Sequence, residues 1–156
     1  MARVITLTLC VAFGLVFLSR SCTFARPGGP IALKYGRIVS GNGTDQTIRF
    51  VAVAGGRITA VSLLNSGDAT PSGAHEIDVS GLYVAAATFD RTAPTPMDGL
   101  RHVWVGQMSP GDPGDLVILR GNPSRIRPGQ IPDADAIVAA VINGRYYTGR
   151  ELLRRR

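Results

Sequence analysis

Two dipeptides, Gly55-Gly56 and Asn143-Gly144, constrain this chain more than any other feature. Each can supply the positive φ angles that a two-residue hairpin turn requires, so the segments on either side are expected to be antiparallel strands. Before the first turn, Ile48, Phe50 and Ala52 alternate with Arg49, Val51 and Val53; Arg57 to Leu64 follows it. Around the second turn the strands are Ile137 to Ile142 and Arg145 to Thr148. Ala134 to Ile142 is alanine-rich, as a helix would be. The β-branched Ile137, Val138, Val141 and Ile142 lead straight into the turn, however, and favour the strand.

The rest of the chain repeats the theme. Ile31 to Ser40, His75 to Val79, Tyr83 to Phe89, His102 to Met108 and Leu116 to Arg120 read as strands separated by glycine- and proline-rich loops. With about eight short strands expected, the body of the chain is mostly β. Thr148 and Glu151 have the spacing of a capping box, which predicts a short terminal helix through Leu152-Leu153.

The first 25 residues follow a different logic. Arg3 precedes an apolar run from Val4 to Leu18, and Thr23-Phe24-Ala25 places small residues at the third-last and last positions before a cut. This is the pattern of a secretory signal peptide, 1–25, cleaved after Ala25. The run is short of the roughly 20 apolar residues that a membrane-spanning helix needs. A lipid-modified Cys22 is disfavoured by Arg20, two residues before it, where a small residue is expected. Cys10 and Cys22 both precede the cut, so the exported chain, secreted or periplasmic, has neither disulfide nor thiol chemistry.

The charge of +6 shrinks once it is located. Without Arg3 and Arg20, 15 basic residues face 11 acidic ones, and Arg154, Arg155 and Arg156 make up most of the excess. The basic residues lack the interleaved aromatics of a single-strand binder, so no nucleic-acid partner is expected. Membrane contact is expected only through an uncleaved signal peptide.

Several stretches together carry a resemblance. "KYGRIVSGNGTDQTIRFVAVAGGRITAV" followed by "HEIDVSGLYVAAATFD" resembles the amino-terminal segment of the metal-dependent amidohydrolase superfamily, and "SPGDPGDLVILRGNPS" with "IVAAVINGRYYTGRELL" resembles its carboxy-terminal segment. The nearest likeness is to imidazolonepropionase-like members. The resemblance implies an all-β domain over 26–156, a two-layer β-sandwich with a short C-terminal helix, built from halves 31–90 and 102–156. In that superfamily a catalytic TIM barrel lies between the two segments and holds the metals. Here only 91–101 lies between them, whereas a (β/α)₈ barrel needs about 200 residues.

The resemblance also locates what is missing. Where the family has Pro-Gly-Phe-Ile-Asp leading into a His-x-His metal pair, this chain has Ala86-Ala87-Thr88-Phe89-Asp90, and Thr92 and Pro94 occupy the two histidine positions. Asp90 alone is retained. Gly114 stands where the family's Pro-Gly-x-x-Ala-Asp-Leu has alanine.

The ligand inventory points the same way without the family. A catalytic zinc takes about three protein ligands plus an open position. The chain has two histidines, His75 and His102, and one lysine, Lys34. His75 and Glu76 point to opposite faces of their strand, and His102 shares a face with Trp104 as a packing or edge pair. Asp133 and Asp135 read as an exposed turn, and Asp112 and Asp115 as turn and strand-start acceptors. Gly41 to Asp45 lacks the Lys-Ser/Thr ending of a phosphate loop, and Asn42-Gly43-Thr44 is formally a glycosylation sequon. No catalytic residue, metal site or cofactor is therefore expected.

Three functional readings follow. The favoured one is an exported, non-catalytic composite β-domain. A second is a subunit that supplies this domain to a separately encoded barrel acting on non-peptide C–N bonds. A third is an extracytoplasmic binding module whose loops, especially 91–101, form the working surface. The partners these imply are a second copy of the chain or that barrel-containing subunit.

Overall fold

Both hairpin signals form the turns they announce. The computed structural model describes residues 29–40, 42–127 and 130–155; the expected signal peptide and both cysteines lie outside these residues. Gly55-Gly56 joins β3 (Asp45–Ala54) to β4 (Arg57–Leu63), and Asn143-Gly144 joins β9 (Ile137–Ile142) to β10 (Arg145–Thr148). The remaining strands are β1 (Ile31–Lys34), β2 (Arg37–Val39), β5 (His75–Asp78), β6 (Tyr83–Phe89), β7 (Leu100–Trp104) and β8 (Leu116–Leu119). Helix α1 (Gly149–Leu152) follows β10, and the Glu151 carboxylate reaches back to accept the Thr148 N–H at 2.8 Å and its hydroxyl at 2.9 Å.

The expected single strand from Ile31 to Ser40 is broken in two. Tyr35 adopts φ 61°, and Gly36 passes so close to Val79 and Val84 that a Cβ there would lie 2.9 and 3.1 Å from their methyl groups. The break has a purpose in the sheet. β1 and β2 both run antiparallel to β3, but β1 takes β5 as its parallel neighbour and β2 takes β6. The kink at Tyr35-Gly36 lets one stretch of chain serve two parts of the sheet. The strand expected over His102 to Met108 also shifts: β7 starts at Leu100 and ends at Trp104, and Met108 is buried in the core.

All strands among the described residues belong to one ten-stranded sheet, ordered β10-β9-β8-β6-β2-β3-β1-β5, with β4 on β3 and β7 on β6. Ala86 pairs with both Trp104 and Leu116, so β7 and β8 lie on opposite edges of β6. The sheet curls into a half-barrel. Where two facing layers are expected, opposite walls of one curled sheet face each other. Ile31, Leu33, Val51 and Val53 from one wall share a core with Leu116, Ile118, Ala139 and Val141 from the other. The curl brings the two hairpin turns tip to tip: a Cβ on Gly144 would lie 3.2 Å from the Gly56 nitrogen. The Gly114 N–H donates to the Gly56 carbonyl at 2.9 Å, and Arg57 bridges Pro113.

The convex face of the β6-β8-β9 wall is covered too. Leu152 of α1 packs there with Phe89, Leu100, Val117 and Leu119, and the Met97 N–H donates to the Leu152 carbonyl at 3.0 Å. One polar cluster joins the two halves of the sequence. Asp45 accepts from the Tyr83 hydroxyl at 2.7 Å and from the Asn122 amide at 3.0 Å, and pairs with Arg37 at 3.1 Å.

Candidate functional site

β6 ends at Phe89. The segment after it is a closed Ω-type loop joining β6 to its antiparallel neighbour β7. Its neck is fastened by the Asp90 N–H, which donates to the Gly99 carbonyl at 2.6 Å, and a Cβ at Gly99 would run into the Asp90 carbonyl oxygen. Thr92 and Pro94, expected from the resemblance to stand in place of two histidines, are exposed on this loop. Asp90 is fully engaged within it. One oxygen accepts the Thr92 hydroxyl at 2.6 Å and the Thr92 N–H at 2.9 Å, and the other pairs with Arg101 at 2.8 Å.

These contacts favour the carboxylate, so the Thr92 hydroxyl first, and then Arg101, hold the Asp90 carboxyl well below the usual range. The sign of the linkage follows. A depressed folded value means that the contribution is present above the unfolded value of about 3.9 and is lost as pH falls through the folded one. Denaturant titrations from about pH 6 down to pH 2 should therefore show Asp90→Asn losing less stability with acid than the wild type. Parallel acid curves for the two proteins would remove Asp90 from this role.

The other candidates separate. His75 is exposed on β5, at the far end of the sheet order from β7, and its neighbour Glu76 pairs with Lys34 at 3.0 Å. Asp133 and Asp135 sit exposed at a 3-10 turn before β9. Asp112 accepts the Ser109 N–H at 2.8 Å. Asp115 is buried; it accepts the Asn143 N–H at 2.7 Å and meets Arg91 at 3.5 Å, so it holds the second hairpin turn from below. Among the described residues, no three His, Cys, Asp or Glu side chains come together as a metal site would require.

What the curl does assemble is a cleft around Trp104. Pairing of Ala86 with Trp104 and of Thr88 with His102 puts these four side chains on the concave face. The His102 and Trp104 rings meet at 4.1 Å between centroids, inclined by 57°. The indole N–H donates to the Thr88 hydroxyl at 3.3 Å, which fixes the ring's direction while leaving the residue 57% exposed. Beside it opens a cleft of ≈ 500 Å³, with Ile58, Ala86, Met108 and Pro113 as apolar walls and Thr88, Gln107 and Asp112 as polar members. That volume is in the range of small-molecule sites.

The loop 91–101, expected as the working surface, does not line this cleft. Spacing alone exposes the His102–Trp104 pair, because alternation puts i and i+2 together. The opposing wall, Ile58 with Asp112 and Pro113, arrives only through the curl and has no local signal.

No protein-family model matches this chain, and no curated protein matches it.

Proposed function

We propose that this chain is an exported amidohydrolase-like domain that keeps the composite β-fold and has no catalysis of its own. One observation carries the reading: the strand that would lead into a barrel, β6, pairs directly with the next strand, and the loop between them is sealed by Asp90 and Gly99. The retained Asp90 is neutralised by Arg101 and saturated by Thr92 rather than presented to a metal. The order of strand motifs and the two glycine turns support the same reading.

The purified exported chain should therefore retain no stoichiometric zinc after dialysis and turn over no amide, lactam or N-acyl amino acid. Thr92→His combined with Pro94→His should remain inactive, because a hydrolytic zinc takes about three ligands and a positioned base. Tight zinc binding abolished by His75→Ala or His102→Ala would overturn the reading.

A second reading has its own observation. The exposed Trp104 over a ≈ 500 Å³ cleft favours a binding module, with the concave face rather than loop 91–101 as its surface.

A further inference from the structure

We infer that the Trp104 cleft takes a small organic cation, an ammonium or trimethylammonium group carried on an apolar body about the size of one ring. The inference rests on the binding-module reading and specifies its ligand. Its first support is the composition of the walls. Ile58, Met108, Ala86 and Pro113 offer an apolar surface continuous with the core, since Ile58 and Met108 are themselves core residues. Such a surface selects a ligand with an apolar body.

Its second support is charge. Asp112 is the one ionisable side chain in the lining, and it is acidic. One of its oxygens, Oδ2, accepts the Ser109 N–H at 2.8 Å, which anchors the carboxylate in the turn, and the residue is exposed. An anionic ligand would meet repulsion here, and a cation would gain an attraction that a neutral ligand lacks.

The third support is the indole. Tryptophan has the strongest cation-attracting π-face of the aromatic side chains. Trp104 is braced by His102 and by its N–H bond to Thr88, so the ring is set in place before a ligand arrives. An anchored carboxylate, a braced indole and an apolar floor within one cleft are elements that suit a quaternary ammonium group.

The chain's single tryptophan makes the test direct, because all indole emission comes from the cleft. The purified protein is titrated with benzyltrimethylammonium, with benzyl alcohol as neutral control and benzoate as anionic control. The expected result is a saturable change in emission with the cation and roughly three- to fivefold weaker binding of it by Asp112→Asn, the scale of one exposed charge pair. Asparagine keeps an oxygen to accept the Ser109 N–H, so the turn is retained. Benzyl alcohol should bind more weakly than the cation, and benzoate more weakly still. Equal binding of cation, alcohol and benzoate would overturn the charge assignment and leave the binding reading standing. The absence of a saturable response to any of the three would overturn both. Should Asp112→Asn fail to fold, the ranking of the three probes on the wild type decides alone.

Discussion

Gly114→Ala is expected to destabilise the protein by about 2 to 3 kcal/mol, although it adds a single methyl group. A Cβ at this position would lie 2.6 Å from a Val53 methyl and about 3 Å from the backbone of Arg57 (3.0 and 3.1 Å to its carbonyl carbon and nitrogen). Neither neighbour can yield cheaply. Val53 is fully buried in the shared core, and Arg57 is held by its bridge to Pro113. The methyl would push the 113–115 segment off the first hairpin and weaken the Gly114 N–H bond to Gly56. Urea unfolding should show a lower midpoint at an unchanged slope. A loss below about 0.5 kcal/mol would mean that the two walls approach less closely than described.

Asp115→Ala should cost a similar amount, about 2 to 3 kcal/mol, by another route. The Asp115 carboxylate is 7% exposed and receives the Asn143 N–H at the start of a turn where Asn143 itself has φ 51°. Removing the part-buried acceptor takes away the partner of the Asn143 N–H at a residue already held in the left-handed region, and it also removes the carboxylate that Arg91 meets at 3.5 Å. Asp115→Asn should cost less, since an amide oxygen can still accept. If thermal unfolding ranks the two variants alike, the hydrogen bond to Asn143 is not the source of the loss.

The parts of the fold legible in the sequence were those with local causes. Gly55-Gly56 and Asn143-Gly144 declare their turns because few residues tolerate the required φ angles, and the Thr148–Glu151 box declares α1 because both its partners lie within one helical turn. The break at Tyr35 was not legible. A tyrosine at positive φ has no local reason; it is held there by its N–H bond to Arg49 and by the close packing of Gly36 on Val79 and Val84. The early start of β7 and the burial of Met108 are likewise decided by what the curled sheet brings opposite them. The candidate site divides in the same way: alternation reveals His102 beside Trp104, whereas Ile58 and Asp112 join them only through the curl.

The sealed neck at Asp90 and Gly99 has a thermodynamic meaning beyond the loop itself. Each doubling of the length of a flexible connection adds only about 0.6 kcal/mol to the entropy of holding its ends together. Once β6 and β7 are paired and their ends fastened, the sheet is nearly indifferent to how much chain runs between them. Strand sequences suited to this half-barrel would therefore remain suited to it through a large insertion or a large deletion at that one point. In such a lineage, the sheet would conserve its own grammar while the chemistry hung from it came and went.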